Sequence, residues 1–129
     1  KKLLDQIKSW GTKILSSATT IEEALWLESN GVDGIIAQGV EAGGHRGMFL
    51  SDDISTQMGL SALLPQIISR VNVPVIAAGG IGDNKGVEAA LLLGADAVQV
   101  GTAYLLCPES TTTQTPCPTA SNRSTFQSP

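Results

Sequence analysis

Aromatic residues are scarce in this chain. Phe, Trp and Tyr make up 4% of its 129 residues, so a buried core has to come from Ile, Leu, Val and Ala. Cations are outnumbered: 8 Lys and Arg face 12 Asp and Glu, for a net charge of −4. That balance argues against a nucleic-acid partner, which needs a basic face. Only 2 Cys and 1 His are present. No disulfide framework can be read from them, and no cluster of His, Cys and carboxylates suggests a metal site. Long hydrophobic runs are missing as well. The longest, from Val71 to Ile81, is interrupted by Asn72, Pro74, Gly79 and Gly80 and is too short to span a bilayer. Lys1 opens a polar segment with no hydrophobic stretch behind it, so no signal peptide is expected. The absent initiator Met suggests an excerpt from a longer chain, and the low cysteine content suggests a reducing, cytoplasmic setting.

What the chain does have is aliphatic residues in short bursts, each followed by glycine. Hydrophobic residues account for 42% of the sequence, and there are 14 Gly. Lys13–Ser17, Gly34–Gln38, Pro74–Ala78 and Ala97–Val100 read as strands. Three of these runs are almost wholly apolar, the pattern of parallel strands covered on both faces. Helical patterns lie between most of them. Thr20 to Glu23 reads as a capping box that leads into an apolar stripe of Ile21, Ala24 and Leu25, with Gly31 at the helix end. Leu63, Leu64, Ile67 and Ile68 form a second stripe, in which Pro65 is tolerable only in the first turn. Asp83 caps a third helix through Leu93, stopped by Gly94, and Lys1–Trp10 reads as an incoming helix stopped by Gly11. Trp10 and Trp26 are read as packing residues.

A weak repeat links the two halves. Glu23-Ala24, Gly31-Val32-Asp33 and a run ending at Gly39 match Glu88-Ala89, Gly94-Ala95-Asp96 and a run ending at Gly101. Helix, Gly-x-Asp turn and strand therefore recur as one unit, as in a β/α barrel or a doubly wound sheet. From Cys107 onward the composition shifts to Ser, Thr and Pro, and periodicity is lost. This tail is expected to be disordered.

Chemistry concentrates at three strand ends. After the second strand, Gln38-Gly39-Val40-Glu41-Ala42-Gly43-Gly44-His45-Arg46-Gly47 places the single His in a glycine-rich loop. Glycine lets backbone approach a flat ligand, and imidazole exchanges protons near neutral pH. After the third strand, Gly79-Gly80 leads towards a helix start, where backbone N–H groups can hold a phosphate. After the fourth, Gln99-Val100-Gly101-Thr102 offers N–H donors and a hydroxyl. Phosphate sites of β/α barrels sit on the loops after strands 7 and 8. Neither segment matches a P-loop or Gly-x-Gly-x-x-Gly. Glu41 either orients His45 or faces water; Arg46 binds an anion or forms a salt bridge; Asp33 and Asp96 shape turns.

Taken together, these three segments resemble the nitronate monooxygenase family, once called 2-nitropropane dioxygenases. The resemblance runs from about Lys1 to Glu109 and is most specific from Ala37 to Gly47. It implies an α/β fold of the (β/α)8 TIM-barrel type, with these four strands as the fifth to eighth. Residues 1–106 would form the C-terminal half of an FMN-binding barrel, and 107–129 the tail. It further implies that Gln38, Gly43 and Gly44 contact FMN, and that Gly79, Gly80, Gln99, Val100, Gly101 and Thr102 hold the flavin and its phosphate. His45 would be the catalytic base. The implied reaction is oxidation of alkyl nitronates, or of nitroalkanes, with O2 to a carbonyl compound and nitrite. An FMN-dependent enoyl-acyl-carrier-protein reductase shares the barrel and a similar Glu-Ala-Gly-Gly-His segment. A half-barrel without activity is a third reading, and its open sheet edges would invite self-association.

Overall fold

The computed structural model describes residues 2–111. Its sheet is built from β1 (Leu15–Ala18), β2 (Gly34–Gln38), β3 (Val75–Ala78) and β4 (Ala97–Gln99), all parallel and in the order β1-β2-β3-β4. Helix α1 (Lys2–Ser9) precedes β1, α2 (Ile21–Ser29) and α3 (Leu60–Ile68) bridge successive strands, and α4 (Asn84–Leu92) joins β3 to β4. Two 3-10 turns, Ile54–Thr56 and Thr102–Leu106, lie in the loop after β2 and after β4. This is an α/β fold of the expected barrel type.

Parallel register puts partners on the same face of the sheet. Ala18, Ala37 and Ala77 form one row and are fully buried with Ile35. Against that face pack Ala24 and Leu27 of α2, and Leu60, Leu63, Leu64 and Ile67 of α3. The last four follow the i, i+3, i+4, i+7 spacing of a helix with one buried stripe. Fully burying each such Leu or Ile stabilises by about 2 kcal/mol, so this single layer is where the core sits. The alternate row, Ser17, Ile36, Ile76 and Ala97, is only half-buried or exposed. The apolar strands therefore carry helices on one face only, and the expected double cover is absent among the described residues. At the sheet edge, Leu15 of β1 is 55% exposed.

Several local expectations shift. Ile14 falls outside β1 because its N–H is taken by Asp33 Oδ2 at 3.0 Å. Asp33 returns the contact, its own N–H reaching Ile14 O at 2.8 Å. The repeat predicts the same clamp further on, and it is there: Val75 N–H meets Asp96 Oδ2 at 2.8 Å, and Asp96 N–H meets Val75 O at 2.9 Å. Each Asp thus holds the start of the preceding strand rather than merely shaping its own turn. Pro65 lies beyond the first turn of α3, but on the exposed side near the equally exposed Ser61, so the carbonyl it leaves unbonded is on the solvent face. On α2 the buried residues are Glu23, Ala24 and Leu27, while Leu25 is exposed. Trp10 is 68% exposed and packs no core; Trp26 is half-exposed and meets Phe49 edge-on, with ring centroids 5.2 Å apart. Of the expected disordered tail, 112–129 lie outside the described residues.

Gly31 ends α2 at φ +85°, and a Cβ there would meet only Lys8 Nζ, at 3.7 Å. The cost of Gly31→Ala is therefore conformational rather than steric. It should lower stability by about 1–2 kcal/mol, read as a drop in the denaturant midpoint of the complete native polypeptide with an unchanged slope.

Candidate active site

The carboxyl ends of β2, β3 and β4 bring the three glycine segments together. A Cβ added at Gly43 would lie 2.9 Å from Thr102 Oγ1, so the loops after β2 and β4 touch. A Cβ at Gly79 would lie 3.1 Å from Ala42 N, and one at Gly80 would lie 3.2 Å from Glu41 Cβ. The loop after β3 therefore lies against the same loop. Gly79 and Gly80 adopt φ of +117° and +69°, a region that suits glycine. The N–H groups of Gly79, Gly80, Gly101 and Thr102, and the Thr102 hydroxyl, form no hydrogen bond among the described residues. Open space faces Gly44 and Gly101, where a Cβ would meet nothing within 4 Å. Gln38, Ala78 and Gln99 form the last row of the sheet, on the face that no helix covers. Unused donors, open glycines and Gln99 at the edge of that face fit a flat, phosphate-bearing cofactor such as FMN. Val100 differs from its neighbours: its side chain packs against the core, so only its backbone is free to serve a ligand. At the N-terminus of α4, Asp83 Oδ1 accepts from Gly86 N at 2.8 Å.

His45 is exposed, and its imidazole makes no hydrogen bond among the described residues. Its backbone, by contrast, is tightly held. Gln38 Nε2 donates to His45 O at 3.0 Å, while Gln38 Oε1 accepts from Gly47 N at 2.6 Å. Both ends of the Gln38 amide are thereby spent on the loop that carries His45. Arg46 donates to the carbonyls of Gly39 and Val40. It closes the loop on itself instead of forming the expected salt bridge. Glu41 neither orients His45 nor faces bulk water unpaired: both its carboxylate oxygens accept from Leu60 N at 3.0 Å, capping α3. Gly47 presses on β1, where a Cβ would fall 2.5 Å from Ser17 Cβ.

One contributor was read only as half of a capping box. Thr20 Oγ1 does accept from Glu23 N at 3.2 Å. The Glu23 carboxylate, however, does not return to Thr20. Its Oε2 accepts from Thr19 N at 2.7 Å and Thr19 Oγ1 at 2.8 Å, and its Oε1 from Phe49 N at 2.6 Å and Leu50 N at 3.2 Å. Glu23 is 1% exposed. Burial alone would raise its pKa. The donors from Phe49, Thr19 and Leu50 outweigh that effect and hold it below the ordinary 4.5. The available sequence signal was a carboxylate beside Ala24 on the buried side of α2.

A parallel sheet with helices on one face and glycine turns at its carboxyl ends defines an enzyme fold of the β/α-barrel class. Comparison with known proteins narrows this. The nitronate monooxygenase family profile matches residues 1–122, further than the resemblance read to Glu109. A probable nitronate monooxygenase of Bacillus subtilis is 50% identical over 105 residues, covering 81% of this chain and 30% of its relative. A nitronate monooxygenase of Pseudomonas aeruginosa is 50% identical over 109 residues, covering 82% and 31%. Among solved structures, nitroalkane oxidase from Streptomyces ansochromogenes is 44% identical, with a TM-score of 0.81 over 88% of this chain and 33% of its own. A mutant of FabK from Thermotoga maritima is 37% identical, with a TM-score of 0.76 over 88% and 35%. The chain belongs to the nitronate monooxygenase family. It spans about a third of the length of the relatives it matches. No helix among the described residues is long and apolar enough to cross a membrane, and no metal-binding cluster is found among them.

Because its folded-state pKa lies below the ordinary 4.5, Glu23 contributes stability that is complete above that value. The contribution is lost as pH falls from there through the folded-state pKa. Glu23→Gln should therefore lower stability at pH 7 and flatten the acid limb below pH 4.5, as measured by denaturant titration across pH. Gly47→Ala should destabilise by about 1–3 kcal/mol, since neither β1 nor the clamped loop has room to yield; thermal melts of the two proteins would check this.

Proposed function

We propose that this segment supplies part of the active site of an FMN-dependent nitronate monooxygenase, with His45 as its base. The observation that carries the reading is the pairing of an exposed imidazole on a clamped loop with unbonded glycine and Thr102 donors on the neighbouring loops. Family membership supports it from a separate direction. FMN, when bound, would supply the redox chemistry. The residues of this chain would bind and orient. Gly79, Gly80, Gly101 and Thr102 would donate to the phosphate. Gln99, Gly43 and Gly44 would border the ring, and Gln38 would hold the loop over it. His45 would take the α-proton from a neutral nitroalkane, a step that a preformed nitronate does not need. The products would be a carbonyl compound and nitrite, with O2 as oxidant.

The test is nitrite release by the complete native polypeptide from an alkyl nitronate in air, with bound flavin measured by absorbance. Flavin without nitrite, together with NAD(P)H oxidation by an enoyl thioester, would overturn the reading in favour of the reductase. His45→Ala should keep its flavin and lose turnover of neutral nitroalkanes by on the order of 100-fold or more. Normal turnover would remove His45 from this role. Gly101→Val gives a clean probe of the cradle. Gly101 has φ −119°, ψ −76° and open space around it, so the added side chain meets no neighbour, and melts of parent and variant read any backbone cost separately. Its FMN affinity should nevertheless fall about tenfold or more, as charge-assisted contacts to phosphate are blocked. Substitution at Gly80 would confound the two effects, because its φ is +69°.

A further inference from the structure

We infer that Glu23 is the positioning residue of the His45 loop. Its role would be to hold the far end of that loop over β1, so that His45 meets substrate in one geometry; this rests on the role proposed for His45. Glu23 belongs to α2, a helix that carries none of the residues assigned to cofactor or substrate. It reaches across the top of β1 to a segment 26 and 27 residues away. One oxygen is fixed on Thr19, at the end of β1, and the other on the amides of Phe49 and Leu50. Only a carboxylate can accept on both oxygens at once; an amide would turn its NH2 towards one pair of donors. Gln38 holds the loop at His45 and Gly47, and Glu23 holds it at its exit. The chain between the two clamps is short enough that loosening one end frees the other. The Trp26–Phe49 ring contact adds a second tie between α2 and the same segment.

Hydrogen exchange on the complete native polypeptide tests the proposal without any substrate. In Glu23→Gln, the amides of Gly47, Phe49 and Leu50, each bonded in the parent, should exchange about tenfold faster or more, a larger rise than the lowered stability brings to Ile36 and Ala77 in the sheet. A rise in the loop no larger than that in the sheet overturns the proposal. Glu23→Asp keeps the charge but is too short to span both sets of donors, and it should loosen the loop in the same way. If neither variant folds, the unmutated protein decides. Phe49 and Leu50 amides should be protected at least tenfold relative to the exposed Asp52, and equal rates overturn the proposal. Turnover supplies the functional arm. Glu23→Gln should lose more activity with a neutral nitroalkane than with its preformed nitronate, at unchanged flavin content. Equal losses with both substrates overturn the positioning role. An unmutated protein that releases no nitrite from either substrate refutes the proposed function, and the exchange result still decides what Glu23 holds.

Discussion

A carboxylate withdrawn from water has to be met by donors, and four converge on Glu23. That requirement ties together parts of the chain that are otherwise far apart. Thr19 ends β1, Glu23 begins α2, and Phe49 and Leu50 belong to the long loop after β2. Their amides would be costly to leave unbonded in a half-buried place. The carboxylate would be costlier still without them. Each group therefore fixes the others, and the loop bearing His45 is tied at its backbone while its imidazole makes no hydrogen bond among the described residues. Such an arrangement suits a reactive group: the scaffold takes up the ordering cost in advance, and the side chain keeps its capacity for a ligand.

The one-sided sheet explains where ligands could sit. Helices α2 and α3 cover the row containing Ala18, Ala37 and Ala77, and the opposite row remains open. Side chains alternate along each strand, so the last residues on the open side, Gln38 and Gln99, stand beside the glycine turns. The polar residues at that end are thus a direct outcome of strand register. On the core side, the neighbouring row is Ala18, Ala37, Ala77 and Val98.

The strands and helices were legible because their patterns are local. Continuous apolar runs marked β2 and β3, and Thr20, Asp83, Gly31 and Gly94 marked helix ends by their own backbone preferences. The glycine segments at the strand ends were legible too, since glycine at such places has few other uses. What the sequence hid were contacts between distant residues. Glu41 serves α3, Arg46 serves carbonyls of its own loop, and Gln38 spends both amide ends on His45 and Gly47. Nothing in periodicity distinguishes a Gln that faces a ligand from one that clamps a loop. Trp10 was misjudged for the opposite reason: size suggests burial, but exposure depends on whether a neighbour exists to cover the ring.

The paired clamps at Asp33 and Asp96 bear on how the chain acquires this shape. Each closes a segment of 19 or 21 residues, a strand and its following helix in one case and the β3–α4 unit in the other. Closing so short a segment costs little chain entropy, and the cost rises only slowly with length. Each unit can therefore register its next strand soon after that strand is made, without waiting for distant partners. A parallel sheet is ordinarily a slow architecture to fold because its contacts are non-local. Aspartate at the Gly-x-Asp turn converts part of that search into a nearest-neighbour event in the β1–α2 and β3–α4 units.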